Sequence, residues 1–251
     1  MTITMNALRE KIRRKELYIV TIIGLIVLIA FGTGTGTITM NGKPITDYEN
    51  LAPILITIIN VICGALAIVL SIHTIPNEYE RKTSHLIWIR GISQPRFHGE
   101  LALANGISSL ISEAILYLGL FAFMIIKGKG NEAWKLIPAF LIVAISILMV
   151  SLFTSMLSIV LPGMLTGAIA AICYLAGILH GFLDTFRGMV SGIGSILLKG
   201  VLFVIPDLNE IQSQAGNVMK GNSLDMHVIW KGLLILYVIS LLVFICKRKE
   251  A

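Results

Sequence analysis

The stretch LIPAFLIVAISILMVSLFTSMLSIV, from Leu136 to Val160, decides the class of this protein. It contains no charged residue. As a helix rising 1.5 Å per residue it is long enough to cross the roughly 30 Å hydrocarbon core of a bilayer. Helix is the natural form for such a segment, because every backbone N–H and C=O is then paired within it. Working outward, five further windows read the same way: 17–33, 52–74, 102–126, 164–183 and 228–246. The whole chain agrees. Its 251 residues are 56% hydrophobic and 14% charged, against about 25% charged in a soluble domain, and the mean hydropathy is +0.87. The expectation is an all-α polytopic membrane protein. Six transmembrane helices occupy residues 17–246, an interfacial helix precedes them at 1–16, and a tail follows at 247–251.

Charge sets the expected orientation. Six spans put both ends on one side, and the basic residues of the N-terminus, the 75–98 loop and the tail make up 12 of the 20 Lys and Arg. That majority places both termini and the 75–98 loop in the cytoplasm of a multi-pass protein of the cell membrane. Lys127, Lys129 and Lys135 weigh against it. The first window follows a basic segment, as a signal peptide would, but Phe31–Thr37 lacks an Ala-x-Ala-like cleavage site, so it is read as a retained anchor. Within 1–16, Met5, Leu8, Ile12 and Leu17 recur at helical spacing, with Arg9, Lys11, Arg13 and Arg14 on the remaining face. This predicts an amphipathic helix lying in the membrane interface with its cations toward the headgroups. Residues 184–226 are glycine-rich and apolar at first, then turn polar from Pro206. They are expected to form a re-entrant or interfacial pair on the outer face.

Several chemistries are not encoded. No Gly-x-x-x-x-Gly-Lys-Ser/Thr sequence exists, and Gly32-Thr-Gly-Thr-Gly36 follows an apolar helix and not a strand. The five histidines show no i, i+4 pairing, and Cys63, Cys173 and Cys246 lie apart in apolar runs, so no metal site is expected. Nucleic acid is not an expected partner, since no basic run is interleaved with aromatics. For an intramembrane protease, Gly188-Met-Val-Ser191-Gly192 has one residue too many for Gly-x-Ser-Gly. Polar residues inside the spans are more informative. Asn105, Ser108, Ser109, Ser112 and Glu113 share one helical face, and Ser151, Thr154, Ser155 and Ser158 share another. Such stripes are costly against lipid and should face other helices or a water-filled path. Asn105, Ser109 and Glu113 are therefore candidates for a translocation path, with a packing seam as the alternative. Gly163/Gly167 and Gly177/Gly181 would permit close helix approach.

The loop after the second window, Ile75 to Gly99, carries Glu78, Glu80, Arg81, Lys82, Thr83, Leu86-Ile87 and Ser93-Gln-Pro95-Arg96-Phe97. On these residues and the overall layout the chain resembles the permease subunits of type-2 ABC exporters, the ABC-2 family. The family signature runs Glu, Gly-Thr, an apolar pair, Pro-x-Ser-Arg with an aromatic, then Gly-Lys. Here Lys82 replaces the glycine, Ser and Pro are rearranged, and Glu100 stands where lysine is common.

The resemblance implies a coupling helix in the 78–97 loop that docks on an ATPase subunit, with Glu78, Glu80, Arg81, Thr83 and Arg96 as contact residues. It implies two ATPase copies, which alone bind ATP-Mg, and a second permease copy or a related permease. The chain would not itself be an enzyme and would hold no cofactor. The implied function is export of an amphipathic or hydrophobic cargo, such as a peptide, drug or lipid-like molecule, by alternating access. A non-catalytic membrane scaffold or immunity protein is the alternative, and an intramembrane protease stands behind both.

Overall fold

The computed structural model describes residues 2–13, 15, 18, 22, 25–26, 29, 39–40, 43–44, 48–82 and 89–247. Among these, helix dominates. The helices are α1 (Thr2–Arg13), α2 (Tyr48–Ile72), α3 (Thr74–Glu80), α4 (Gln94–Ile126), α5 (Gly130–Ala133), α6 (Leu136–Val160), α7 (Gly163–Ile178), α8 (His180–Met189), α9 (Ile193–Val204), α10 (Leu208–Lys220) and α11 (Met226–Ile245). One antiparallel pair of two-residue strands, β1 (Thr39–Met40) and β2 (Lys43–Pro44), precedes α2.

Four helical stretches are long and apolar enough to cross a membrane: Pro53–Glu80, Gln94–Ile126, Gly130–Val160 and Met226–Ile245. The predicted fifth span, 164–183, is not one straight helix. It ends at Ile178, and α8 leaves at 75° to α7. His180, the first residue of α8, meets the Leu202 carbonyl and Asp207, each at 3.2 Å. The first predicted span, 17–33, lies largely outside the described residues. Arg248 and Lys249 of the tail lie outside them as well.

Helix α6 is the axis of the bundle, packed by α2, α4, α7, α10 and α11. One apolar core runs along these elements, and a smaller one of Ile75, Phe97, Leu101, Ala102, Ile159 and Val243 closes the end where α1 lies. Three of the four glycines singled out for close packing do face neighbours. A Cβ on Gly163 would sit 2.9 Å from His73, on Gly167 2.9 Å from Ile72, and on Gly177 2.9 Å from Leu208, whereas Gly181 faces open space.

One expectation changes. The third span was expected over 102–126. Instead a 33-residue α4 begins directly after Ser93, whose backbone is extended, with Pro95 in its first turn, where the missing N–H costs no hydrogen bond. That helix is about 50 Å long. With α3 continuing the second span to Glu80, helix enters the expected 75–98 loop from both of its ends.

The segment 184–226 ends in a helix that packs into the bundle. Its last helix, α10, packs on α2, α6 and α7, with Leu208, Ile211, Ala215 and Met219 buried. Ile211 reaches the Gly232 position on α11 and lies by Ile145 of α6.

Candidate functional site

Helix α1 docks against α4 by a face that its composition hides. Ile3, Ala7 and Lys11, four residues apart, turn inward, while Met5 and Ile12 are 56% and 43% exposed. This corrects the expected outward placement of Lys11, which is only 6% exposed, while Arg9 and Arg13 are exposed. Its ammonium donates to the Leu70 carbonyl and to Asn105 Oδ1. Thr74 Oγ1 donates to the same Asn105 oxygen at 2.8 Å, and Asn105 Nδ2 donates to Ser155 Oγ at 2.8 Å. One asparagine thus joins α1, the α2–α3 junction, α4 and α6. Satisfying a buried ammonium this way is what makes its burial tolerable.

The rest of the polar face of α4 lies in the same closed seam. Asn105, Ser108, Ser112 and Glu113 are 0% exposed and Ser109 is 1%. Ser108, Ser109 and Ser112 donate to backbone carbonyls one turn back, at 2.6, 2.9 and 3.0 Å. Ser71 and Ser151 hydroxyls meet at 3.1 Å across α2 and α6. Deeper in the bundle Tyr117 donates to Asn60 Oδ1 at 3.1 Å, and Tyr174 to the Asn60 carbonyl at 3.0 Å. The Glu113 carboxyl has no hydrogen-bond partner among the described residues. The three path candidates are therefore brought onto one face, inside helix packing.

The coupling candidates gather at the α1 end. Glu78 lines a small cavity with Glu10, Lys11 and His73, and Glu80 ends α3 at the surface. Arg81 Nη1 pairs with Glu10 Oε1 at 2.7 Å. That hydrogen bond, with the carboxylate charge behind it, raises the guanidinium above its ordinary range. Arg96 lies on α4 and pairs with Glu100 at 3.3 Å. Thr83, Leu86 and Ile87 lie outside the described residues. Beneath this surface Tyr79 Oη meets His98 Nε2 at 2.7 Å and accepts from Gln94 Nε2 at 3.0 Å. Arg81, Glu78 and Lys11 are thus tied to one structural block.

Two features were not foreseen. The inward turn of Lys11 has a sequence signal only in the i, i+4, i+8 register of Ile3, Ala7 and Lys11, which the stronger Met5/Leu8/Ile12 stripe conceals. The burial of α10 was more accessible. Asp207 accepts from the Glu210 N–H at 2.8 Å, and Gly221 ends the helix in a left-handed conformation; both are recognisable stops around a 208/211/215/219 stripe.

Ser191 is exposed in the turn between α8 and α9. Both ring nitrogens of His180 are engaged elsewhere, by Asp207 at 3.2 Å and the Leu202 carbonyl at 3.2 Å. No group of three potential metal ligands occurs among the described residues. No protein-family model, curated protein or solved structure matches the chain.

Proposed function

We propose that this chain is the membrane-spanning permease subunit of an ATP-driven exporter of the ABC-2 type, with a separate ATPase subunit in two copies and a second permease as its partners. The observation that carries the reading is the block at the α1 end of the bundle. Glu10 of α1 grips Arg81 of the 78–97 region, and Lys11 of the same helix grips Asn105 in a spanning helix. A push applied to a partner-facing loop would pass through such contacts into the bundle and not be lost in a flexible linker. In this reading the block is cytoplasmic, with both termini on that side of the cell membrane. ATP and Mg are bound by the partner. The cargo, an amphipathic or hydrophobic molecule, moves outward as the docked loops shift and the spans rearrange between two states.

The same reading makes α9, the Pro206 turn and α10 a re-entrant hairpin. The turn lies beside Phe153 of α6 and Tyr174 of α7, and non-helical backbone at such depth is tolerated where protein shields it. A non-catalytic scaffold or immunity protein remains the second reading, favoured by the closed packing of Asn105, Ser109 and Glu113.

The test is recovery of the tagged chain from native membranes in mild detergent, with ATP hydrolysis measured on the eluate. Wild type should bring down a nucleotide-hydrolysing partner, and the triple variant Glu78→Ala, Glu80→Ala, Arg81→Ala should retain much less of it. Recovery of the chain alone across several detergents overturns the permease reading in favour of the scaffold.

A further inference from the structure

The hairpin of α8 and α9 is fastened to the bundle at few places. Helix α8 buries none of its residues, and α9 buries only Leu202. Helix α9 packs mainly on α8, which in turn touches α7 and α10. In lipid an apolar contact with protein gains little over one with acyl chains, so polar contacts decide where this hairpin sits. His180 makes them. Its Nε2 lies 3.2 Å from the Leu202 carbonyl near the end of α9, and its Nδ1 lies 3.2 Å from Asp207 Oδ2 at the start of α10. Asp207 is itself fixed, because its Oδ1 accepts the Glu210 N–H at 2.8 Å. One imidazole therefore joins three helices.

The chemistry of the two contacts constrains the ring. A backbone carbonyl only accepts, so Nε2 must carry a hydrogen. A neutral imidazole would then turn the Nδ1 lone pair toward a carboxylate oxygen, and two acceptors would face each other. Both contacts are attractive together only in the imidazolium, whose two N–H groups meet two acceptors. The other ionisable groups on the surrounding helices do not replace that proton. On α8, Asp184 pairs with Arg187 at 2.9 Å. Lys199, one turn before Leu202 on α9, is exposed. Glu210 of α10 meets Asp207 through its backbone, and α7 brings Cys173 and Tyr174 but no charged residue.

We infer that His180, with the Leu202 carbonyl and Asp207, is a proton-operated latch that fixes the α8–α9 hairpin to α10 when the ring is doubly protonated and releases it when the ring is neutral. Imidazole is the side chain whose charge changes between about pH 5 and 8. The stability that the latch supplies is therefore full at the acid end and is lost as pH rises and the ring gives up its proton. The segment so held, Val204 to Leu208, also walls an apolar cavity of about 450 Å³ beside Phe153 and Tyr174. Release of the latch loosens that wall. The latch does not depend on the exporter reading, since it needs neither an ATPase partner nor a cargo.

The test is amide exchange on the full chain in nanodiscs at points from about pH 5 to 8, each rate divided by the intrinsic rate at that pH. Protection over residues 181–204 should fall roughly three- to tenfold from the acid to the alkaline end, while protection over 140–158 of α6 stays constant. His180→Gln, whose amide can still donate to the Leu202 carbonyl, should remove the pH dependence. Asp207→Asn, which can still cap α10, should remove it as well. Protection over 140–158 shows that each variant is folded. His227→Gln, at the exposed start of α11, should leave the wild-type pH dependence intact. Wild-type protection over 181–204 that does not change with pH overturns the inference. So does a pH dependence that survives in both latch variants, or one that His227→Gln abolishes.

Discussion

Helices α4 and α6 bury a ladder of Asn105, Ser108, Ser109, Ser112, Ser151, Thr154, Ser155 and Ser158, while the α8–α9 hairpin leaves Phe182, Phe186, Ile196, Leu197 and Phe203 largely exposed. A soluble protein would do the opposite. In lipid the apolar residues of α8 and α9 are already in a good solvent, so exposure costs them little. The polar residues are not, and they find partners across helices or along their own backbone. Cohesion of this molecule is therefore concentrated in the seam, while the hairpin is held mainly where His180 meets Leu202 and Asp207. Surface chemistry alone ranks these two regions wrongly, because the solvent differs.

That contrast can be broken by substitution, and Asn105→Leu is the strongest test. It removes the oxygen shared by the Lys11 ammonium and the Thr74 hydroxyl and the amide donor to Ser155, leaving each with a backbone carbonyl as partner, so a loss of about 3 kcal/mol is expected from three hydrogen bonds lost, one of them to a charged group. It should be read as a fall in the thermal unfolding midpoint in nanodiscs. An unchanged midpoint would remove the seam from the account of stability.

Gly64→Ala comes next. The added Cβ would lie 2.1 Å from the Tyr174 ring, forcing that ring and its bond to Asn60 to move, for a loss of about 2 kcal/mol. The same assay decides it. Lys11→Met sharpens the comparison within α1 itself. Amide exchange over residues 2–13 should rise roughly tenfold, corresponding to about 1.4 kcal/mol, whereas Arg9→Met on the exposed face should leave it unchanged. Equal effects of the two would return α1 to a simple interfacial helix. Smallest of all, Gly181→Ala in α8 meets nothing within 4 Å and should shift stability by no more than about 0.5 kcal/mol.

How much of this was legible beforehand differs by element. The 136–160 window coincides with α6, because a long uncharged run has one structural solution in lipid and its ends are set by where charge or proline resumes. The buried polar face of α4 was readable for the same reason, since five polar residues on one side of an apolar helix must be sheltered. The start of α4 was placed too late because Gln94–Glu100 is not an apolar run, and only the backbone, extended at Ser93 and helical from Gln94, shows where the helix opens. Helix α10 was passed over because its mean polarity masks a single apolar stripe. The break at Leu179 lies between Gly177 and Gly181, and the residue just after it, His180, meets Leu202 and Asp207, 22 and 27 positions along the chain.

By itself, then, the sequence determined that this chain belongs with apolar helices long enough to cross a membrane, which residues must be hidden from lipid, and where its cations concentrate. These are properties of single helices against a uniform solvent. Only the tertiary structure decided which partner each hidden group takes: that Lys11 is spent on Asn105 and not on headgroups, that α10 enters the core, and that an apolar slot opens beside the Pro206 turn. Those outcomes depend on which helices become neighbours, and neighbours are chosen by shape and hydrogen-bond complementarity between segments distant in the chain.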